Sequence, residues 1–190
     1  TTPNSIECFR AQFTEPAMAE LALPSIAIFE NLAEVIGIPG YDVSLRHQGY
    51  LFVTDDPATV PDMKASVEQH RRVGVTDSEF LDHDELLRRF PYLSDRAVAA
   101  TFRQNDGWLS SHEATQGFAK GSSARFLLQT RATGIGLDGQ GVCGVETNRG
   151  TISTRTVVNA AGPFAGVVCR MAGVELPLEP VRRQKAFIAH

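Results

Sequence analysis

A chain of 190 residues, 43% hydrophobic and 21% charged, has the make-up of a soluble globular protein able to bury one large core or two small ones. A formal net charge of -4 argues against nucleic acid or any other polyanion as a partner. The densest basic runs are only His70-Arg71-Arg72 and Arg182-Arg183, too little to neutralise a row of phosphates. Three dispersed cysteines, Cys8, Cys143 and Cys169, give neither a disulfide framework nor zinc spacing and suit a reducing compartment. No apolar run approaches the roughly 20 residues of a membrane span, and Thr-Thr-Pro-Asn-Ser has no secretory signal, so a cytoplasmic location is expected. The chain does not begin with Met, which leads to the expectation that a segment precedes Thr1.

In chain order, the residues from Pro16 to Ile36 repeat with a helical period. They place Leu21, Ser25, Ile28, Leu32 and Val35 on one face, with a kink expected at Pro24 and a C-cap at Gly37. Gly49 to Thr54 reads as a strand stopped by Asp55-Asp56-Pro57. A second helix runs from about Pro61 to Val73 and ends at Gly74. Asp82 caps a short helix through Phe90, with Glu85 in capping-box position and Pro91 as the stop. Ala97 to Arg103 and Gly107 to Leu109 are strand-like, and Gln104-Asn105-Asp106 between them predicts a hairpin-like turn. A helix over His112 to Ala124 is weakened by Gly117 and Gly121, and Arg125 to Arg131 follows as a strand.

Gly134-Ile-Gly-Leu-Asp-Gly139 spells G-x-G-x-x-G, the outline of a loop that cradles a dinucleotide. That chemistry needs a strand entering the loop and a helix leaving it. Here short β-branched segments continue on both sides, through Gly141 to Thr147 and Thr151 to Arg155. The pattern is a β-meander, and the glycines fit a hairpin. A better phosphate candidate is Thr156 to Ala165, where Val157-Val158 reads as a short buried strand and Pro163 opens a helix. Between them Ala160, Ala161 and Gly162 carry little or no side chain. Two readings of that turn stand: close approach of an anion to the backbone, or tight packing alone.

The ordered set of segments resembles the D-amino-acid oxidase/sarcosine oxidase family of FAD-dependent oxidoreductases. The resemblance rests on Arg10-Ala-Gln-Phe13, Gly49-Tyr-Leu-Phe-Val53, Leu81 to Leu87 before Phe90 to Leu93, and Asp106-Gly-Trp-Leu109. It continues through the meander to Val157-Val-Asn-Ala-Ala-Gly162 and Leu176 to Gln184. It implies an α+β fold, an antiparallel or mixed sheet with flanking helices that forms a substrate domain, plus a β-meander and strand–helix portion of an FAD-binding domain. On that basis residues 1–110 are mostly substrate domain, 111–172 part of the FAD domain, and 173–190 a return to the substrate-domain sheet. The family's own glycine loop would precede Thr1, so the chain reads as an excised middle portion, inactive alone and unlikely to retain FAD by itself.

By the same resemblance, Arg10 lies over the flavin and can bind a substrate carboxylate, for which a guanidinium offers two parallel donors. Glu7 stands where relatives carry a second basic residue, and Phe13 where a Tyr is common. Ala160, Ala161 and Gly162 match the turn beside the FAD pyrophosphate, and Ala132 falls where relatives place a Val whose backbone meets the adenine. Tyr50 and Trp108 have two readings, pocket walls or core aromatics. No acid–base residue and no metal ligand set stands out, and His47, His70, His83 and His112 have no partner spacing.

The implied activity is oxidation of a C–N bond in a small amino acid or secondary or tertiary amine of the sarcosine, glycine or dimethylglycine kind. Alternatives are a 2-hydroxy-acid or glycerol-3-phosphate dehydrogenase of the same fold, or a non-catalytic assembly or binding relative. Implied partners are a small substrate and the missing FAD domain. Strand edges around Phe126 to Arg131 and Val157 to Asn159 predict self-association of the isolated chain.

Overall fold

A computed structural model describes residues 5–181, which divide into two compact units with the boundary between Ala124 and Arg125. The first begins with the two-residue strand β1 (Cys8–Phe9), followed by helix α1 (Pro16–Glu30) and the short α2 (Leu32–Val35). Pro24 does not end α1; it lies inside it. The break falls at Asn31, whose Nδ2 donates to the Ala27 carbonyl at 2.8 Å and competes with the backbone ladder there. At the far end Gly37, at φ 68°, donates to Glu34 O, and Ile38 N–H reaches back to Ala33 O. This is the left-handed glycine cap expected at that position.

The expected apolar face of α1 points largely outward, with Leu21 67% exposed. The buried face is Ala19, Ile26 and, in α2, Leu32. The stretch Pro16 to Glu30 is apolar nearly all round, so periodicity alone does not select the stripe that packs.

A three-stranded antiparallel sheet organises the unit in the order β2 (Tyr50–Thr54), β4 (Ala99–Arg103), β3 (Glu79–Asp82). Leu51 pairs with Phe102 and Leu81 with Ala100, so these residues share one face. They form a core with Leu86 of α4 (His83–Arg89). The other face carries Tyr50, Phe52, Thr101 and Arg103, and α3 (Val60–Arg72) contacts the sheet through β3 and β4. Asp82 caps α4 by accepting Glu85 N–H at 3.0 Å, as its spacing predicts.

The hairpin expected between Ala97 and Leu109 does not form. Strand β5 (Gly107–Trp108) pairs with β1, Cys8 opposite Trp108 and Phe9 opposite Gly107. Its other edge exchanges two bonds between Trp108 and Arg46, at 2.8 and 2.9 Å. Gly107 is required by that sandwich, since a Cβ there would overlap the Arg46 carbonyl oxygen. Helix α5 (Ser111–Lys120) follows and packs Ala114 against Leu32, Val43 and Leu109.

The second unit is an antiparallel meander of β6 (Ala132–Asp138), β7 (Gly141–Thr147) and β8 (Gly150–Ser153). Gly134 and Gly136 lie within β6 and Gly139 in the turn to β7, so the G-x-G-x-x-G is a hairpin. Two expected strands are absent. Arg125 to Arg131 and Val157-Val158 have no strand conformation, and Val158 is 85% exposed. A strand exists only where a neighbour completes its hydrogen bonds; among the described residues Arg125 to Arg131 is bonded only near its end, where Asn148 and Arg149 meet Arg131 and Gln129, and Val157-Val158 pairs with no strand. A 3-10 turn, Gly162–Phe164, leads into α6 (Ala165–Met171). Of the return to the sheet expected over 173–190, residues 182–190 lie outside the described residues, Arg182 and Arg183 among them.

Candidate functional site

The first unit gathers its polar groups around Asp106, whose side chain is fully buried in the turn after β4. Oδ1 accepts the Ala11 N–H at 2.8 Å and Arg103 Nη1 at 2.7 Å, and Oδ2 accepts Gln12 Nε2 at 3.2 Å. Its backbone carbonyl accepts Gly49 N–H at 2.9 Å. Arg103 also donates through Nε to Asp77 at 2.6 Å, so a buried guanidinium sits between two carboxylates. Burial by itself would lower the Arg103 pKa, but its bonds to Asp77 and Asp106 outweigh that and raise it. For Asp77, burial works upward, while the bonds from Arg103 and Asn105 and the Arg103 charge hold its carboxyl below the usual value.

This network fixes the segment that presents Arg10. The Arg10 guanidinium lies 4.7 Å from the Phe13 ring centroid, 5.0 Å from Phe52 and 5.8 Å from Tyr50. Stacking of this kind holds a cation while leaving its in-plane N–H donors for another group. No carboxylate pairs with Arg10 among the described residues, and its buried Nε has no acceptor. A hollow of about 320 Å³ opens beside it, lined in part by Gln12, Phe13, Phe52, His70 and Thr101. On its other side Arg10 borders a hollow of about 350 Å³ with Cys8, Phe9, Ile26 and Tyr50.

His70 is buried and its Nδ1 lies 2.9 Å from Ser78 Oγ. Burial lowers its pKa below 6.5, partly offset by the charge of Asp106. Gln12 spends both amide protons, one on Tyr50 O at 2.9 Å and one on Asp106. Its carbonyl oxygen is closed off without a donor.

The structure thus brings Arg10 and Tyr50 together. Trp108 lies two residues beyond Asp106 in β5, and it borders neither hollow. Glu7 has a role the sequence does not announce. Its carboxylate accepts the Ser111 N–H at 2.9 Å and hydroxyl at 2.7 Å, at the first turn of α5 where negative charge is favoured. Its backbone is left-handed, at φ 65°. Asp106 and Gln12, the residues that set the site, carry no spacing signal; a lone Asp before Gly-Trp reads as a turn.

In the second unit Ala132 begins β6 opposite Thr147. Ala160 and Gly162 are exposed, and Ala161 N–H is bonded to Asn159 Oδ1 at 3.2 Å. A Cβ on Gly162 would meet nothing within 4 Å, although its φ of 53° favours glycine. Packing among the described residues therefore does not require a glycine at 162, whose positive φ does favour one.

Helices on antiparallel sheets thus carry a stacked arginine beside a small hollow. The sequence profile of the "FAD dependent oxidoreductase" (DAO) family matches residues 1–189, and the chain belongs to that family. FAD is the family's cofactor. The chain is 30% identical over 182 residues to the hydrogen cyanide synthase subunit HcnC of Pseudomonas aeruginosa, covering 89% of this chain and 42% of that protein. To human mitochondrial dimethylglycine dehydrogenase it is 28% identical over 166 residues, 84% of this chain and 18% of that one. Its fold superposes on the crystal structure of L-proline dehydrogenase from P. horikoshii with a TM-score of 0.81 at 28% identity, over 92% of this chain and 46% of the other. The chain spans less than half the length of these relatives. Among the described residues, no helix is long and apolar enough to cross a membrane, and no cluster of His, Cys, Asp and Glu could hold a metal.

Proposed function

We propose that this chain is part of an FAD-dependent oxidoreductase that oxidises the C–N bond of a small amino acid or amine of the sarcosine, glycine or dimethylglycine kind. The observation that carries the reading is Arg10: a stacked cation with no acid partner among the described residues, beside a hollow of about 320 Å³. A guanidinium in that state is a receptor for a carboxylate. Phe13, Phe52 and Met63 give the hollow its apolar surface, Thr101, Ser66 and His70 are among its polar groups, and the Glu15 carboxylate lies on its rim as the charge a bound anion must avoid. Tyr50 and Phe52 form the wall behind Arg10, and we assign that role to them rather than to Trp108.

The names of the relatives above support an amino-acid or amine substrate. Residues 1–110 supply the substrate side on this reading, 111–172 the FAD side, and 173–190 return to the substrate side. Ala132, Ala160, Ala161 and Gly162 face the cofactor. Bound FAD would supply the hydride acceptor for oxidation at the carbon bearing the nitrogen; this chain's Arg10, with Tyr50 and Phe52 behind it, would bind and orient the substrate.

The test is to purify the whole protein and add N-methylglycine, glycine and N,N-dimethylglycine without oxygen. A yellow protein bleached by one of these amines supports the reading. Bleaching by 2-hydroxy acids or glycerol 3-phosphate alone replaces the substrate class, and a colourless protein that binds no FAD points to a non-catalytic assembly or binding role.

A further inference from the structure

Asp106 touches both sides of the proposed substrate site at once. Its side chain takes the Ala11 N–H, one residue from Arg10, and its carbonyl takes the Gly49 N–H, one residue from Tyr50. Gln12 closes the loop by bridging Asp106 Oδ2 and the Tyr50 carbonyl. The carboxylate meets three donors, Ala11 N–H, Arg103 Nη1–H and Gln12 Nε2–H, and nothing that accepts. Only an acceptor-only group fits such a site. An Asn side chain would keep Ala11 and Arg103 on its oxygen but set an NH₂ against the Gln12 NH₂. If the Gln12 amide then turned over, it would give up the Tyr50 carbonyl.

We propose that Asp106 is a positioning residue for substrate binding, setting the spacing between Arg10 and Tyr50 through Ala11, Gln12 and Gly49. The inference rests on the reading that a substrate carboxylate binds at Arg10. Asp77 supplies the comparison, because it belongs to the same charge network yet among the described residues its carboxylate bonds Arg103 and Asn105 and not the Arg10 segment. Loosening the network in general and loosening the Arg10 segment are therefore separable.

The experiment uses the whole FAD-loaded protein and acetate as the probe, its dissociation constant read from the change in flavin absorbance. Asp106→Asn should weaken acetate binding roughly tenfold, the order expected for one lost buried hydrogen bond. For an amino-acid substrate it should raise KM more than it lowers kcat. Asp77→Asn should lower thermal stability while leaving acetate affinity within about twofold. If Asp106→Asn does not fold, Gln12→Met tests the bridge alone and should weaken acetate by about threefold. An Asp106→Asn protein that is less stable but binds acetate as the parent does overturns the proposal. Equal loss of acetate binding in Asp106→Asn and Asp77→Asn also overturns it. A parent protein that holds FAD but no acetate removes the placement at Arg10, and the inference with it.

Discussion

The residues up to Ala124 and those after it bury their apolar side chains very differently. Among the described residues the buried hydrophobic side chains run from Ala11 to Ala114, all in the first unit, most of them in three clusters around the sheet and helices. Among the described residues of the second unit only Gly144 and Gly166 are buried, while Phe126, Leu128, Val158 and Phe164 are exposed. The meander has its hydrogen bonds but no core of its own among those residues. Apolar side chains left exposed in this way are candidates for association. The contrast teaches that the packed apolar core among the described residues resides in the first unit.

The largest effect expected on that contrast is in the first core. Phe102 is 2% exposed, and Phe102→Ala should cost about 3–5 kcal/mol in denaturant unfolding. Fluorescence of Trp108, the chain's single Trp, reports on this unit. Arg103→Met should cost a similar amount, about 3–5 kcal/mol, because it removes the cation from the buried Asp106 carboxylate. Equal damage from Leu128→Ala, at a side chain 78% exposed, would erase the contrast; the expected change there is within about 0.5 kcal/mol.

The second unit should instead govern association. The isolated chain is expected to self-associate in sedimentation velocity, and Leu128→Asp with Val158→Asp should shift it toward monomer. A monomeric parent chain would contradict this.

Smaller still is the pH effect of His70. Its folded pKa lies below 6.5, so between that value and 6.5 the unfolded chain binds more protons. Stability is therefore lost as pH falls through that window and regained as it rises. Melting temperatures of the first unit from pH 5 to 8 should show the slope, and His70→Gln should flatten it. Asp77 acts lower: its folded pKa is depressed from 3.8, so its contribution is present above 3.8 and lost as pH falls through the folded value.

What the sequence disclosed follows the same division. Local signals were sound: the Asp82 cap, the Gly37 terminus, the ends of the helix after Pro61 and the hairpin nature of Gly134 to Gly139 all rest on near neighbours. Non-local pairing was not legible. The return of β5 to β1 depends on Asp106 bonding residues 95 positions away. The missing strands at Arg125 to Arg131 and Val157-Val158 depend on partners that local pattern cannot supply. Within the site, Arg10 and Tyr50 could be named from the resemblance, but Gln12 and Asp106 are ordinary residues until the fold sets them against each other.

The most direct test of the central claim is anaerobic titration of the whole FAD-loaded protein with N-methylglycine, beside its Arg10→Leu variant. The account predicts a bleached flavin in the parent. In Arg10→Leu the yellow colour should remain, with at least about 100-fold weaker dependence on substrate, as a charge-assisted carboxylate contact of about 3 kcal/mol requires. Reduction by the same amine at the same concentrations in both proteins would contradict it.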